Sequence, residues 1–225
     1  MIRQTIMKLK LIFILIGCTL HAYVMAQQTF PFEDEIKAFQ HQDSISFPAQ
    51  NSILFIGSSS IRLWEDLEQR FPGQQIIKRG VGGCEMADLA EYYAPLILIP
   101  YHPRKVFIFA GENDISHGKT AQSVTDNFAK LWVQIRTKLP ATEIYFLSIK
   151  RSPSRIKYEP IVLQANSLIK NYLAGKAKSH YVDLAPAIYK PGTTRSDSTL
   201  FADDYLHLYS KGYDKWQQPL RPFVK

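Results

Sequence analysis

Short apolar runs alternate with helical patterns along this chain, and no other feature restricts its fold as tightly. The runs are Ser52–Ile56, Gln75–Lys78, Lys105–Ala110, Glu143–Ser148 and His180–Asp183, each bounded by turn-forming residues. Continuous apolar runs of this length are expected of strands buried on both faces of a parallel sheet. Between them, Val124, Phe128, Leu131, Ile135 and Leu139 fall on one face of a helix that must stop before Pro140. Ile161, Ala165, Leu168, Ile169 and Tyr172 form a second stripe, ending near Gly175. Ser123 and Ser210 are expected N-caps, the latter opening a last helix that should finish by Pro219. Phe32–Gln42 reads as a leading helix outside the alternation, and Ala185–Leu200 as a long loop. Parallel strands need crossovers that lay helices over both faces, so the expected fold is a three-layer α/β/α domain on a five-stranded parallel sheet. Ligands of such sheets bind beyond the C-terminal strand ends, where chemistry is to be sought.

The N-terminal segment stands apart. Arg3, Lys8 and Lys10 precede an apolar run, Leu11–Leu20, too short to span a bilayer, and Val24 and Ala26 offer small residues to a signal peptidase. The reading is a signal peptide over 1–26, a lead helix and linker over 27–50, and the main domain over 51–225, with the mature protein exported. A minor alternative is a lipoprotein anchored through Cys18, since Leu15-Ile16-Gly17-Cys18 resembles a lipobox. Removing 1–26 takes away three basic residues and no acidic ones, lowering the formal charge from +7 to +4. The remaining Lys and Arg are scattered apart from Lys150, Arg151, Arg155 and Lys157, with no aromatic-interleaved basic stripe, so nucleic acid is not an expected partner. Stable membrane insertion after cleavage is not expected either. Cys84 is then the single cysteine, which excludes an internal disulfide and a cysteine-based metal site. It reads as a small filler, because no basic neighbour in sequence lowers its pKa.

Four loops carry the polar residues. Gly57-Ser58-Ser59-Ser60 follows the first strand and opens a helix pattern at Ile61, so a serine there is either an N-cap or an activated nucleophile. Ile61 in place of glycine excludes the G-x-S-x-G elbow. Arg79-Gly80-Val81-Gly82-Gly83-Cys84 follows the second strand; its glycines suit either a flexible turn or close approach of backbone N–H groups to a ligand. Glu85 stands where a dinucleotide fingerprint needs its third glycine. Gly118-Lys119-Thr120 has the tail of a phosphate loop, but Asn113 occupies the leading glycine position. In Gly111-Glu112-Asn113-Asp114, Asn and Asp are turn formers by default, though an Asn113 amide can also donate to an oxyanion. Asp204 and His207, three apart, suit a surface turn or a carboxylate that orients a basic imidazole. All four loops map to one edge of the expected sheet.

At these residues the sequence resembles the SGNH, or GDSL-like, hydrolases, in order across Ile53–Trp216. It is most similar to the branch of platelet-activating-factor acetylhydrolase catalytic subunits, through Phe55–Trp64, Arg79–Gly83, Gly111–Ile115 and Asp204–His207. The resemblance implies a flavodoxin-like fold and neither metal nor cofactor. It aligns Ser59 with the nucleophile, His207 with the base, Asp204 with its orienter, and Ser59, Gly83 and Asn113 with the oxyanion donors. Asp203 fits less well, because the family spacing from acid to histidine is three. Ser58 and Glu112 depart from the residues usual at their positions.

The expected function is therefore an exported serine esterase acting on short acyl groups, acetyl foremost, of a small-molecule or glycan ester. Long insertions that would make an apolar lid are absent from the sequence. Trp64 and Tyr205 are candidates to line a pocket, and Lys150 and Arg151 belong to a basic cluster that reads as a solvated loop first and as a contact for an acidic sugar second, while Phe107, Phe109 and Trp132 read as core. An O-acyltransferase using the same residues and a non-catalytic carbohydrate-binding or surface protein are the alternatives. Oligomeric state is not legible.

Overall fold

A computed structural model describes residues 30–225; the expected signal peptide over 1–26 and the alternative anchor at Cys18 lie outside the described residues. Residues 34–225 form one compact unit. Its elements are α1 (Glu33–Ile45), β1 (Ile53–Gly57), α2 (Ser59–Arg62), β2 (Ile76–Gly80), a helical stretch α3 over 86–101, β3 (Lys105–Phe109), α4 (Glu112–Ser116), α5 (Ala121–Lys138), β4 (Glu143–Leu147), α6 (Glu159–Leu173), β5 (Ser179–Val182) and α7 (Ser210–Leu220). The strands pair parallel in the order β2-β1-β3-β4-β5, with Ile53 beside Ile76 on one side and Lys105 on the other. The chain runs outward from β1 to β2, then crosses back to β3, so the order reverses between β1 and β3, where such sheets open a crevice.

Period-two alternation explains why both faces are apolar. Phe55, Phe107, Phe109, Tyr145 and Leu147 point to a cluster with Trp64, Leu67, Tyr213, Trp216 and Leu220, so α7 closes that face. Their neighbours on the strands take the other side, where Phe146 meets Phe128 of α5 with ring centroids 4.9 Å apart. Val124, Phe128, Leu131 and Ile135 are all fully buried, as their spacing predicts, each contributing roughly 1.5–3 kcal/mol. Phe107 and Phe109 are core; Trp132 is half-buried, donating Nε1–H to Ser179 Oγ at 2.9 Å.

Several local expectations shift. The cap of α5 is Thr120, whose Oγ1 accepts from the backbone N–H of Ser123 at 3.1 Å, so Ser123 is the recipient instead of the cap. Tyr209 occupies the cap position of α7, and that helix continues one residue beyond Pro219, because a missing N–H in the final turn breaks few ladder bonds. On α6 the buried face is Val162, Ala165, Asn166, Ile169 and Leu173, with Ile161, Leu168 and Tyr172 at its rim. Asn166 is the cause, since its amide grips both backbone groups of Ile149 at the end of β4. Within α3, Leu89–Leu98 is a π-type helix around Pro95, a pattern whose period matches neither sequence template. The stretch 185–200 holds two 3-10 turns, Ala185–Ile188 and Ser198–Leu200, and an antiparallel bridge from Tyr189 to Ser196.

Candidate active site

The turn after β1 is set by Gly57, whose φ of +145° only glycine adopts readily; a Cβ there would come within 2.0 Å of the Phe109 carbonyl on β3. The chain then reverses, Ser58 N–H donating to Phe109 O at 2.9 Å, and α2 begins at Ser59. The three serines separate by environment. Ser58 and Ser60 are buried, whereas Ser59 is half-buried and its Oγ lies 2.8 Å from His207 Nε2. Ser60 Oγ faces the opposite way, to Lys150 Nζ at 3.2 Å, and its carbonyl accepts from Tyr213 OH at 2.9 Å. Of the three serines, Ser59 is the one whose hydroxyl meets the imidazole.

His207 is held from its other ring nitrogen. Nδ1 lies 2.5 Å from Asp204 Oδ2, while Asp204 Oδ1 accepts from the backbone N–H groups of Leu206 and His207, each at 2.9 Å. Burial pushes the Asp204 carboxyl up, but those two N–H groups and the imidazole outweigh it and hold it at about 2. Asp204 therefore stays ionised at neutral pH and accepts the Nδ1 proton, leaving Nε2 with its lone pair toward Ser59. Asp203 points elsewhere, accepting from Tyr209 OH at 2.8 Å.

Two further loops flank this turn. Gly83 is exposed at φ +84° after β2. Asn113, in α4 after β3, is 8% exposed; its Nδ2 donates to Cys84 O at 3.1 Å and its Oδ1 accepts from Arg155 Nη1 at 3.1 Å. A carboxamide has two N–H groups, so one remains beyond the Cys84 bond. Asp114, read above as a turn former, is buried and accepts from Met86 N–H, tying the loop after β3 to the start of α3. Burial raises its carboxyl to about 6. Cys84 is buried, and burial raises its thiol, which removes it as a nucleophile.

A model of the GDSL-like lipase/acylhydrolase family matches residues 43–215. The chain belongs to that family. Human platelet-activating factor acetylhydrolase IB subunit alpha1 is 26% identical over 169 residues, which cover 72% of this chain and 70% of that protein. The rat counterpart is 29% identical over 170 residues, covering 72% and 69%. Among solved structures, a GDSL-like lipase from Bacteroides thetaiotaomicron superposes with a TM-score of 0.68 at 18% identity, over 84% of this chain and 96% of its own. A carbohydrate esterase family 3 protein from Talaromyces cellulolyticus gives 0.62 at 17% identity, over 77% and 95%. At those identities the structural likeness speaks for the fold. This chain is thus a GDSL-like esterase with the three-layer architecture of that family.

Three of the expected substrate contacts of this GDSL-like chain lie elsewhere. Lys150 is 1% exposed, and its ammonium pairs with the Glu112 carboxylate behind Ser60. Burial pushes its pKa down, with Glu112 opposing. A side chain enclosed this way cannot reach a sugar. Arg151 is half-buried, bonded to Glu159 and Thr194 O and stacked 4.4 Å from the Tyr189 ring centroid. Trp64 is fully buried, stacked 4.9 Å from Tyr213, because its spacing from Phe55 and Trp216 makes it core. Tyr205 alone of the four is exposed, at 53%, two residues before His207. The buried Lys150–Glu112 pair, with Ser152 Oγ also on Glu112, went unread; its one clue was a glutamate whose extra methylene lets the carboxylate reach Lys150. Among the described residues, no group of three or more His, Cys, Asp or Glu is arranged to hold a metal ion. No helix of the described residues is long and apolar enough to cross a membrane.

Proposed function

We propose that this chain is an exported serine esterase that removes short acyl groups, acetyl foremost, from a carbohydrate alcohol. The observation that carries this reading is the relay of Ser59, His207 and Asp204, spanning 2.8 Å and 2.5 Å from hydroxyl through imidazole to carboxylate. In the reaction Ser59 Oγ attacks the ester carbonyl while His207 Nε2 takes its proton. The tetrahedral oxyanion is met by the backbone N–H groups of Ser59 and Gly83 and by the second side-chain N–H of Asn113. Its collapse expels the alcohol, which leaves with the proton from His207, and forms an acyl-Ser59. Water, losing a proton to the same Nε2, then attacks the acyl carbon; the second collapse returns the proton to Ser59 and releases the acid. Asp204, ionised throughout, keeps the imidazole in the tautomer each step needs and stabilises its positive charge.

The short acyl preference is supported by the half-buried Ser59 and by the short turns that lead from β1 to α2, from β2 to α3 and from β3 to α4, none of which could shelter a long chain. The carbohydrate preference draws on the structural neighbour described as a carbohydrate esterase and on the exposed aromatic ring of Tyr205 beside the relay. Export rests on the sequence of residues 1–26. The test is a panel of acetylated sugars, acetylated polysaccharides and longer-chain esters assayed on wild type, Ser59→Ala and Asn113→Ala. Ser59→Ala should abolish turnover and fluorophosphonate labelling with unaltered folding. Asn113→Ala should lose ~100- to 1,000-fold in kcat. Retained hydrolysis in Ser59→Ala, or wild-type kcat in Asn113→Ala, overturns the mechanism; faster turnover of long-chain esters than of acetyl sugars overturns the substrate assignment.

A further inference from the structure

We infer that Arg155 is a positioning residue for the esterase reaction, locking the Asn113 carboxamide in the one orientation that offers an N–H to the oxyanion. The inference rests on the mechanism proposed above and names the device that makes its oxyanion donor reliable. A side-chain amide is nearly symmetric in shape, so a half-turn about its last torsion swaps oxygen for nitrogen with little steric consequence. Only one of the two orientations serves catalysis; the other aims a carbonyl oxygen at developing negative charge.

Both ends of the Asn113 amide are keyed against that half-turn. A guanidinium can only donate, and Arg155 Nη1 lies 3.1 Å from Oδ1; a backbone carbonyl can only accept, and Cys84 O lies 3.1 Å from Nδ2. Reversal would set two donors against each other at Arg155 and two acceptors at Cys84. Since Asn113 is buried, water does not readily substitute for a lost partner. The same Nη1 also donates to the Glu112 carbonyl at 3.0 Å, so one guanidinium nitrogen fixes the backbone entering Asn113 and its side chain together.

Arg155 is itself tied to the loop that carries the base. Its backbone N–H donates to Ser152 O at 3.0 Å, while the neighbouring Ser154 gives its backbone N–H and Oγ to Tyr205 O at 3.1 and 3.0 Å. The segment after β4 thus connects the turn holding Asp204 and His207 to the oxyanion side of the site, through residues that touch no reacting atom.

The experiment is a double-mutant cycle in the full chain, with kcat and KM for a short-chain ester and the rate of fluorophosphonate labelling as readouts. Arg155→Met should lower kcat and the labelling rate by ~10- to 100-fold, the scale of a misplaced catalytic group, with KM changed less than about threefold. Arg155→Lys, which keeps a donor, should recover part of that loss. In the Asn113→Ala background, Arg155→Met should change kcat by less than about twofold, because nothing is left for it to orient. Equal losses in both backgrounds, or wild-type kcat in Arg155→Met, would overturn the inference while leaving the esterase mechanism intact. Wild-type kcat in Asn113→Ala would instead remove the mechanism on which it depends. Should Arg155→Met fail to fold, the same comparison made with Arg155→Lys decides between coupled and independent effects.

Discussion

Replacing Lys150 by Met tests whether this lysine is a structural charge or a substrate contact. The ammonium sits 1% exposed between Glu112 and Ser60, and Glu112 is 5% exposed. Methionine fills most of the stem but leaves the Glu112 carboxylate buried with Ser152 Oγ as its one remaining side-chain donor. Breaking a buried pair from one side typically costs ~3–5 kcal/mol, because the surviving charge keeps its desolvation penalty without compensation. For a chain of this size each kcal/mol moves the melting temperature by roughly 2–4 °C, so a drop of about 6–20 °C is expected. Urea unfolding should show a lower midpoint with an unchanged slope. The double variant Lys150→Met with Glu112→Gln removes both charges and should regain most of the loss. The reasoning is refuted if Lys150→Met melts within about 1 °C of wild type while KM for anionic esters rises, since the ammonium would then be facing substrate.

Two further outcomes follow from the geometry. Gly57→Ala should destabilise by more than ~3 kcal/mol or abolish soluble expression, because the new methyl group meets the Phe109 backbone at a φ that L-residues avoid; a wild-type urea midpoint would contradict the observed strand approach. Asp114 gives a pH signature, since burial lifts its folded-state carboxyl from 3.8 to about 6. Between those values the folded chain holds a proton that the unfolded chain has released, so stability falls as pH rises through this window and the deficit persists above it. Relative to Asp114→Asn, wild type should lose up to ~3 kcal/mol between pH 4 and pH 7 in urea titrations; a difference independent of pH would show that the carboxyl titrates normally.

Features carried by local periodicity were legible in the sequence. The α5 stripe follows from helical spacing and the five strands from short apolar runs bounded by turn residues, because an element with a covered face marks its residues locally. The loops that hold Ser59 and Asn113 were legible for another reason: the parallel order sends every strand's exit to one edge, so polar residues there are gathered by topology, whereas the choice of Ser59, Asn113 and His207 within their segments came from the resemblance to the GDSL-like hydrolases. Lys150 was misread because charge ordinarily marks surface, and its partner lies 38 residues away with no repeat relating them. Trp64 was misplaced for the converse reason, an aromatic just past the serine turn whose cover comes from α7. The Arg155 bond to Asn113 spans 42 residues and reads in sequence as one more loop cation.

The hydroxyl and imidazole of the relay are contributed 148 residues apart, and all five strands are complete by Val182. During synthesis, a growing polypeptide that has already laid down its entire sheet still holds Ser59 without the imidazole that meets it in the finished fold. That same unfinished product also lacks Tyr213, Trp216 and Leu220, so part of the apolar cover on the Phe107 and Phe109 side is missing. Truncation between β5 and His207 therefore removes the imidazole and part of the apolar cover in one cut, so the relay and the closed core are completed together by the final stretch of translation.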